Sequence, residues 1–309
     1  ATMPPHICIL GNINVDFVMR SPRIPRLGET LVVEGLRIIP GGKAANQAVA
    51  AARLGARVTL IGCVGGNDAY GRGLVENFER EGIDVRFVNL DPDAHTGAAF
   101  VGLLPSGDNF IMTALGANLS CTRTQVEAAA EAIQRADVFM TQFSVPFESI
   151  SLAVQLAKDA GVPVLVDPTP IRGAVPEGWR RADVITPNET EAQALLGTDC
   201  ELSPEEAGRR LLDAGVGAAV MKLGERGCVV VDAAGARPIP GVRVEVVDTT
   251  AAGDAFAAAL AVRLAEGADV DDAAAYANHV GALTVTRMGA QPSLPRRDDV
   301  QRLIGRRGD

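Results

Sequence analysis

Histidine is scarce in this 309-residue chain, and its scarcity limits the chemistry that the chain could perform. Only His6, His95 and His279 occur, far apart in the sequence. Zinc sites and Ser–His–Asp hydrolases need histidine beside other ligands or catalytic groups. If the chain is an enzyme, we expect carboxylates and backbone dipoles to supply its chemistry.

Cysteine is also sparse and shows no pairing pattern. The five cysteines are odd in number, widely separated and without a Cys-x-x-Cys motif: Cys8, Cys63, Cys121, Cys200 and Cys228. This spacing is typical of free thiols and not of a disulfide framework or a metal site. We therefore expect a cytoplasmic protein with reduced cysteines.

An excess of positive charge and a long apolar run are both missing. The formal net charge of −9 argues against a nucleic acid or an anionic membrane as the main partner. No stretch approaches the roughly 20 apolar residues of a membrane span. The first residues lack the charged and apolar regions of a signal peptide. Aromatic residues make up 4% of the chain, so alanine, valine and leucine must form most of the core.

Short apolar strands alternate with helical segments through most of the chain. One such run predicts a strand over Val138–Gln142, a helix over Phe147–Ala160 and a strand over Val162–Asp167. The alternation predicts a three-layer α/β/α fold, with a mainly parallel central sheet covered by helices on both faces. We expect a single domain over residues 1–309.

Two segments, 14–40 and 96–115, depart from this alternation. Proline and glycine break them into short extended pieces: Leu31–Val33 and Leu36–Ile39 in the first, Ala98–Leu104 and Asn109–Thr113 in the second. We expect the two segments to meet as a small β-sheet lid on the main domain.

The stretch Pro40–Gln47 places a glycine turn and a lysine before a helix predicted over Ala44–Leu54. It is not a Walker A loop, and no Gly-x-Gly-x-x-Gly follows the first strand, which disfavours a dehydrogenase. Lys43 and Asn46 are three residues apart and so share one side of the helix start. An ordinary helix start is an equally good interpretation of this turn alone.

Polar residues cluster where several predicted strands end. Asn12, Asn14 and Asp16 share one face of an extended segment, which suits a ligand with several hydroxyl groups but also fits the solvent face of an edge strand. Similar clusters occur at 186–191, 222–227 and 248–254. Because ligands of α/β folds bind beyond the carboxyl ends of the strands, we expect these clusters to form one site.

The stretch Val247–Phe256 carries an acidic, hydroxyl-bearing turn into small residues and an apolar helix predicted to begin near Ala255. The free N–H groups of a helix's first turn attract anions, phosphate above all. A carboxylate at this position, Asp254, predicts a group that takes a proton from a substrate. The alternative is that Asp254 only caps the helix.

These motifs together resemble the ribokinase family of sugar kinases. The resemblance rests on Gly41–Ala48, on Thr186–Glu191 and on Asp248–Asp254, in that order, and extends from Gly11–Asp16 to Gly289–Ser293. It implies an ATP-dependent kinase that phosphorylates the primary hydroxyl of a pentose, D-ribose giving D-ribose 5-phosphate.

The resemblance also implies a role for each of the following residues. The sugar would be held by Asn14, Asp16, Gly42, Lys43 and Asn46, with Asp254 as the base. The N–H groups of Ala251, Ala252 and Gly253 would form an anion hole. ATP would be bound by Asn188, Lys222, Gly224, Gly227, Gly253 and Asn278, with Glu191 placing Mg²⁺ through water. A monovalent cation, usually K⁺, would be bound by Asp248, Thr250, Thr284, Arg287, Gly289 and Ser293.

Two positions depart from the family pattern. Ser144 stands where a glutamate often contacts the sugar, which leaves the identity of the pentose open. Ala251 stands where the family often has glycine, and we expect it to keep a negative φ. Alternative functions are a kinase of the same fold for another sugar or a nucleoside, and a non-catalytic sugar or nucleotide sensor.

The lid also predicts an assembly. Apolar lid residues, among them Leu31, Val33, Phe100 and Leu103, could pair across a two-fold axis. We expect a homodimer through the lid, binding a small-molecule sugar and ATP.

Overall fold

The larger of two β-sheets crosses the centre of the molecule. A computed structural model describes residues 3–105, 109–173, 175 and 177–305. The strands of the large sheet in the described residues are, in chain order, β1 (His6–Leu10), β4 (Arg57–Gly65), β5 (Asp84–Asp91), β8 (Val138–Gln142), β9 (Val164–Asp167), β10 (Val184–Ile185), β11 (Ala218–Lys222), β12 (Gly227–Asp232) and β13 (Gly235–Pro240). Their spatial order is β13-β12-β11-β10-β9-β8-β1-β4-β5. The strands from β11 to β5 are parallel, and β12 and β13 form an antiparallel edge.

Helices cover both faces of this sheet. They are α1 (Lys43–Arg53), α2 (Gly71–Arg80), α3 (Arg123–Ala128), α4 (Ala130–Gln134), α5 (Phe147–Asp159), α6 (Glu189–Leu196), α7 (Pro204–Asp213), α8 (Ala252–Ala265), α9 (Val270–Thr284) and α10 (Arg297–Gly305). In β1, Ile7 and Ile9 join a core with α1, α2, α8 and α9, whereas Cys8 and Leu10 join a second core with α3 to α7. Burial on both faces explains why β1 is an uninterrupted apolar run. The α/β/α architecture inferred from the sequence is confirmed.

The smaller sheet stands at the carboxyl ends of the large one. Its strands are β2 (Asn14–Arg20), β3 (Glu34–Gly41), β6 (Gly97–Leu103) and β7 (Asn109–Ala114), in the order β3-β2-β6-β7. β2 and β6 pair in parallel, so the sheet joins two hairpin-like segments that are distant in sequence. The turn predicted at Pro105–Asp108 falls partly on residues 106–108, outside the described residues.

The two faces of the smaller sheet differ sharply. One row across it reads Ile38, Phe17, Phe100 and Met112, and the next row reads Pro40, Val15, Ala98 and Ala114. Because strand residues alternate between faces, Asp16 and Leu103 lie on the opposite face. The predicted apolar face was therefore wrong in part: Leu103 does not share a face with Phe100.

Several predicted elements differ in the structure. Leu31–Val33 is not a strand, because β2 ends at Arg20, which pairs with Glu34, and leaves those residues without a neighbour. The sequence pattern also predicts one helix over Gln125–Arg135, whereas the structure divides this segment at Ala129 into α3 and α4. The edge strands β5 and β13 and the helix α10 did not emerge from the sequence pattern.

Candidate active site

Asp254 lies in the first turn of α8, which begins at Ala252 and not at Ala255. The residue is 5% exposed. Asn46 Nδ2 donates to its Oδ2 at 2.8 Å, and Lys43 Nζ lies 3.7 Å from its Oδ1. The N-cap of α8 is Ala251, so capping does not account for Asp254. The carboxylate instead points to the start of α1, two hundred residues earlier in the chain.

Ala251 has φ of +63°, the only positive φ of a non-glycine residue in the described chain. The expectation of a negative φ was wrong. In this left-handed conformation a Cβ approaches the following carbonyl oxygen, which costs about 1–2 kcal/mol. The turn nevertheless adopts it, because this conformation directs the chain from Asp248 into α8.

The N–H groups of this turn are partly available to a ligand. Among the described residues, the N–H groups of Ala251, Gly253 and Asp254 have no hydrogen-bond acceptor, while that of Ala252 donates to Thr249 O at 3.3 Å. Free N–H groups at the positive end of a helix attract an anion.

The glycine turn before α1 brings the backbone against the second strand. Gly42 has φ of +93°, and a Cβ there would lie 2.8 Å from Asn12 O and from Asn14 N. A Cβ on Gly41 would lie 2.0 Å from Asp16 Oδ2. Close approach to the backbone and a positive φ therefore require glycine at Gly42, whereas a side chain at Gly41 would displace the Asp16 carboxylate. The turn brings Lys43 and Asn46 next to β2.

Asn14 and Asp16 line the same side of β2, beside α1. Asn14 is 4% exposed, and its Oδ1 accepts from Asn118 Nδ2 at 2.9 Å. The Asn118 side chain also accepts from Ile13 N at 2.8 Å and thereby fixes the start of β2. Asn118 was not identified from the sequence, since it follows β7 in a short 3₁₀ turn with no recognisable motif.

Three buried oxygen atoms converge on the space between β2, α1 and α8 without a hydrogen-bond donor. They are Asp16 Oδ1, Asn46 Oδ1 and Asp254 Oδ1. Buried polar atoms are almost always hydrogen-bonded in folded proteins, so each exception needs an explanation. A ligand carrying several hydroxyl groups would supply the missing donors.

The acidic pair of the site is electrostatically coupled. Burial, and then the charge of Asp254, raises the pKa of Asp16 to about 7. Burial also raises the pKa of Asp254, against the opposing effect of Lys43. Burial lowers the pKa of Lys43, but the carboxylates of Asp254, Asp167 and Glu191 outweigh it and raise that pKa overall. The site therefore combines a lysine that is held protonated with two acids, Asp16 and Asp254, whose pKa values burial raises.

The predicted nucleotide-binding residues lie at the ends of neighbouring strands. Asn188 and Glu191 form a capping box at the start of α6, with Glu191 Oε2 accepting from Asn188 N at 2.8 Å. Lys222 ends β11, and its Nζ lies 3.8 Å from Glu191 Oε2. Asn278 Nδ2 donates to Pro240 O at 3.2 Å, between α9 and β13.

Two glycines shape the chain between Lys222 and β12. Gly224 and Gly227 have φ of +60° and +93°. A Cβ on Gly227 would lie 2.2 Å from Ile239 O, so this position also requires glycine for close approach.

The predicted cation-binding residues are only partly joined. Asp248 accepts from Thr250 Oγ1 at 2.6 Å, from Gly289 N at 2.8 Å and from Thr250 N at 2.9 Å. Burial raises the pKa of Asp248, but these three bonds outweigh it and lower that pKa overall. The hydroxyl groups of Thr284 and Ser293 do not bond to Asp248 in the described chain: Thr284 Oγ1 donates to Val280 O, and Ser293 Oγ donates to Ala290 O. The backbone of Thr284 is joined to Arg287, whose N–H donates to Thr284 O at 3.4 Å. The Arg287 side chain points to Asp299 instead, at 4.0 Å.

The donor set at this loop nevertheless fits a hard cation, which prefers carboxylate and carbonyl oxygens. The half-buried carboxylate of Asp248 lies in this loop, and Arg287, whose side chain is directed to Asp299, would contribute only its carbonyl oxygen. In the described residues, no group of three or more His, Cys, Asp or Glu side chains is arranged to hold a metal ion.

A buried polar network connects the two halves of the site. Asp167, at the end of β9, is 1% exposed and accepts from Lys222 Nζ at 2.8 Å and from Gln47 Nε2 at 3.0 Å. Gln142 Nε2 donates to Gln47 Oε1. Ser144 Oγ accepts from Asn12 N at 3.2 Å and is 1% exposed. Asp167 was missed although it is an acid at a strand end, the signal that identified the other clusters.

The chain was compared with known proteins. The family model described as pfkB family carbohydrate kinase matches residues 4–297. The ribokinase of Haemophilus influenzae is 38% identical over 95% of this chain and 96% of its own length. The ribokinase of Bacillus subtilis is 37% identical over 97% of this chain and 99% of its own length. The deoxyribokinase of Salmonella typhi is 31% identical over 94% of this chain and 95% of its own length. The structure of Arabidopsis thaliana ribokinase complexed with ribose and ATP superposes with a TM-score of 0.89 and 30% identity, over 98% of this chain and 99% of that structure's chain.

Proposed function

The chain belongs to the pfkB family of carbohydrate kinases, and we propose that it transfers the γ-phosphoryl group of ATP to the primary hydroxyl of D-ribose. The product is D-ribose 5-phosphate. The observation that carries this proposal is the convergence of Asp16 Oδ1, Asn46 Oδ1 and Asp254 Oδ1, three buried acceptors that a polyhydroxyl ligand would satisfy.

The sugar lies between the lid and α1. The side chains of Asn14, Asp16 and Asn46 accept hydrogen bonds from its hydroxyl groups. Lys43 and the backbone of Gly42 form the opposite wall of the sugar site. Asp254 takes the proton of the attacking hydroxyl. The hydrogen bond from Asn46 and the ammonium of Lys43 hold its carboxylate in place. A positioned general base contributes about 10²–10⁴-fold to a rate.

Charge that develops on the transferred phosphoryl group faces the start of α8. The free N–H groups of Ala251 and Gly253 provide the anion hole, together with that of Ala252 once it exchanges Thr249 O for a phosphoryl oxygen. The positive end of the helix adds to it. Phosphoryl transfer depends mainly on positioning and charge stabilisation, which backbone groups fixed in a turn supply.

The nucleotide lies along the ends of β11 and β12. Asn188, Lys222, Gly224, Gly227 and Asn278 line its site, and Gly253 admits its terminal phosphate. Glu191 would place Mg²⁺ through water, and Mg²⁺ would neutralise phosphate charge. Asp248, Thr250, Thr284, Arg287, Gly289 and Ser293 would hold K⁺, mainly through carbonyl oxygens, and thereby fix the turn that leads to Ala251.

The lid also joins two copies of the chain. Ile38, Phe100 and Met112, all on the face opposite Asp16, are 49%, 41% and 61% exposed. Contiguous exposed apolar residues are typical of an interaction site. A second copy presenting the same face would cover them, so we infer a homodimer.

The free cysteines indicate the cellular compartment of the protein. The five cysteines are free, and four of them are buried. A cytoplasmic location is consistent with this state. The described residues contain no helix with the length and apolarity needed to cross a membrane.

A substrate panel tests the proposal. Ribose, 2-deoxyribose, fructose and inosine are each offered with ATP and Mg²⁺, with and without K⁺, in a coupled assay of ADP release. Ribose should give the highest kcat/KM, and K⁺ should raise it. No ADP release with any acceptor would contradict the proposal and would favour a non-catalytic sensor, which the intact Asp254 and Lys43 argue against.

A second candidate is a kinase for 2-deoxyribose or a nucleoside. Ser144 supports it, because the hydroxyl is occupied by the backbone of Asn12 and brings no charge to the sugar. A higher kcat/KM with deoxyribose or inosine than with ribose would establish this candidate.

A further inference from the structure

Lys222 brings a cation to the first turn of α8, where a helix by itself disfavours positive charge. Its side chain is 14% exposed. A Cβ on Gly253 would lie 3.5 Å from Lys222 Nζ, so the ammonium is next to the N–H groups of the anion hole. A cation and helix N–H groups facing one small space are complementary to an anion between them.

Asp167 holds this ammonium in place. Oδ1 of Asp167 accepts from Lys222 Nζ at 2.8 Å, and Oδ2 accepts from Gln47 Nε2 at 3.0 Å. Thr186 Oγ1 donates to Oδ1 at 3.3 Å. The carboxylate is thus fixed from α1, from the end of β10 and from β11, and it contacts neither Asp254 nor the glycine turn.

We propose that Lys222 contacts the phosphoryl group during its transfer, and that Asp167 is the positioning residue that aims it. This inference rests on the proposed kinase function. Glu191 Oε2, 3.8 Å from Lys222 Nζ, offers the lysine a second partner. The bond to Asp167 keeps the ammonium on the side of α8.

The first test separates kcat from KM. Lys222→Met removes the charge with little change in volume, and Asp167→Asn removes the charge of its partner. Loss of one preorganised donor lowers kcat by about 10²–10³-fold, so we expect that loss in Lys222→Met, with the KM for the sugar changed by less than about 3-fold. Lys222→Arg should retain activity at least about 10-fold above that of Lys222→Met.

A double-mutant cycle tests the positioning role. If Asp167 acts through Lys222, Asp167→Asn should lower kcat about 10-fold in the wild-type background and not further in Lys222→Met. Independent, multiplicative losses in the double variant would overturn that role.

The acid limb of the pH–rate profile gives a readout that simple structural damage would not move. The charge of Asp167 raises the pKa of Asp254 and that of Lys222 lowers it. Lys43 and Asp16 also face Asp254 and remain in place. The acid limb should therefore shift to lower pH in Asp167→Asn and to higher pH in Lys222→Met. Shifts in the same direction would contradict the assignment.

The matched control is a second lysine–aspartate pair, at the amino end of β10, whose side chains are 27% and 41% exposed. Lys158 Nζ donates to Asp183 Oδ1 at 2.7 Å. Lys158→Met and Asp183→Asn should leave kcat within about 3-fold of wild type, with the melting temperature reporting their effect on folding. If wild-type protein phosphorylates no sugar, the proposed function fails. If it is active and Lys222→Met keeps a kcat within about 3-fold, this inference alone fails.

Discussion

At the scale of single residues, the site combines acids that resist ionisation with one cation that opposes them. Asp16 and Asp254 are buried on adjacent elements, and Lys43 contacts only the second. Neither acid has a full set of donors in the free protein. Substrate hydroxyl groups would complete both, so substrate binding and ionisation of the pair are coupled.

This coupling predicts a pH dependence. Ionised Asp16 accepts hydrogen bonds from sugar hydroxyl groups at both oxygens, whereas protonated Asp16 loses one of these acceptors. Burial, and then the charge of Asp254, raises the pKa of Asp16 to about 7. The kcat/KM for the sugar should therefore fall as pH decreases through about 7. A stopped-time assay from pH 5 to pH 9 measures it, and a profile flat across pH 6–8 would contradict the prediction.

The raised pKa of Asp16 affects stability in the opposite direction: a higher pH favours turnover of the sugar but destabilises the folded protein. Because the pKa of Asp16 is raised from 3.8 to about 7 in the folded state, the stability contributed by protonated Asp16 is fully present below the lower value and is lost as pH rises to the upper one. The melting temperature of the free protein should therefore decrease from about pH 4 to about pH 7, and less so in Asp16→Asn.

Ala251 predicts a stabilising substitution. Glycine adopts positive φ without the clash of a Cβ, so Ala251→Gly should raise the free energy of unfolding by about 1 kcal/mol. Ala275→Gly, within α9, should lower it by about 0.5–1 kcal/mol and serves as the matched control. Urea denaturation measures both, and destabilisation by Ala251→Gly would contradict the account.

Sequence reasoning was strongest at residues with a motif and weakest at residues defined by packing. Lys43, Asn46 and Asp254 meet as expected. The conformation of Ala251 depends on how β-strand ends and α8 are joined in space, and local propensity gives no measure of that. Asn118 serves the site only by hydrogen bonds to Ile13 and Asn14, so no sequence motif marks it.

At the scale of elements, the geometry depends on the turn into α1. The positive φ of Gly42 and its contact with Asn12 and Asn14 let α1 begin against β2. Strands buried on both faces were predicted well, because their apolar runs are continuous. The edge strands were missed because charged residues interrupt them, as at Asp84 and Arg86 in β5.

The turn gives a second substitution test. Gly42→Ala adds both backbone strain and a clash, so it should lower the melting temperature and raise the KM for the sugar at least about 10-fold. Gly82 also has positive φ, +77°, but a Cβ there meets nothing within 4 Å. Gly82→Ala should cost about 1–2 kcal/mol of stability and leave KM unchanged. Equal KM values in the two variants would contradict the role of the turn.

At the scale of the whole molecule, we propose that the two faces of the lid have separate roles. The Asp16 face would close over the sugar, and the face with Phe17 and Phe100 is apolar across its width. The sequence indicated a lid from its proline and glycine content. The members of each face depend on strand register, which the structure supplies.

The apolar face predicts a dimer that one charge would break. Met112→Lys should shift the protein to monomer at micromolar concentration in sedimentation velocity. Ile111→Lys is the control, because Ile111 is similarly exposed, at 56%, but lies on the other face. A wild-type monomer, or equal effects of both changes, would contradict the proposed interface.

The most direct test of the whole account is the turnover of Asp254→Asn with ribose and ATP, measured beside calorimetric titration of each ligand. Asparagine keeps the size of the side chain but cannot take a proton. We expect kcat to fall by about 10²–10⁴-fold while the Kd for ribose changes by less than about 3-fold. A kcat near that of the wild type, in a folded variant that binds both substrates, would show that Asp254 is not the base.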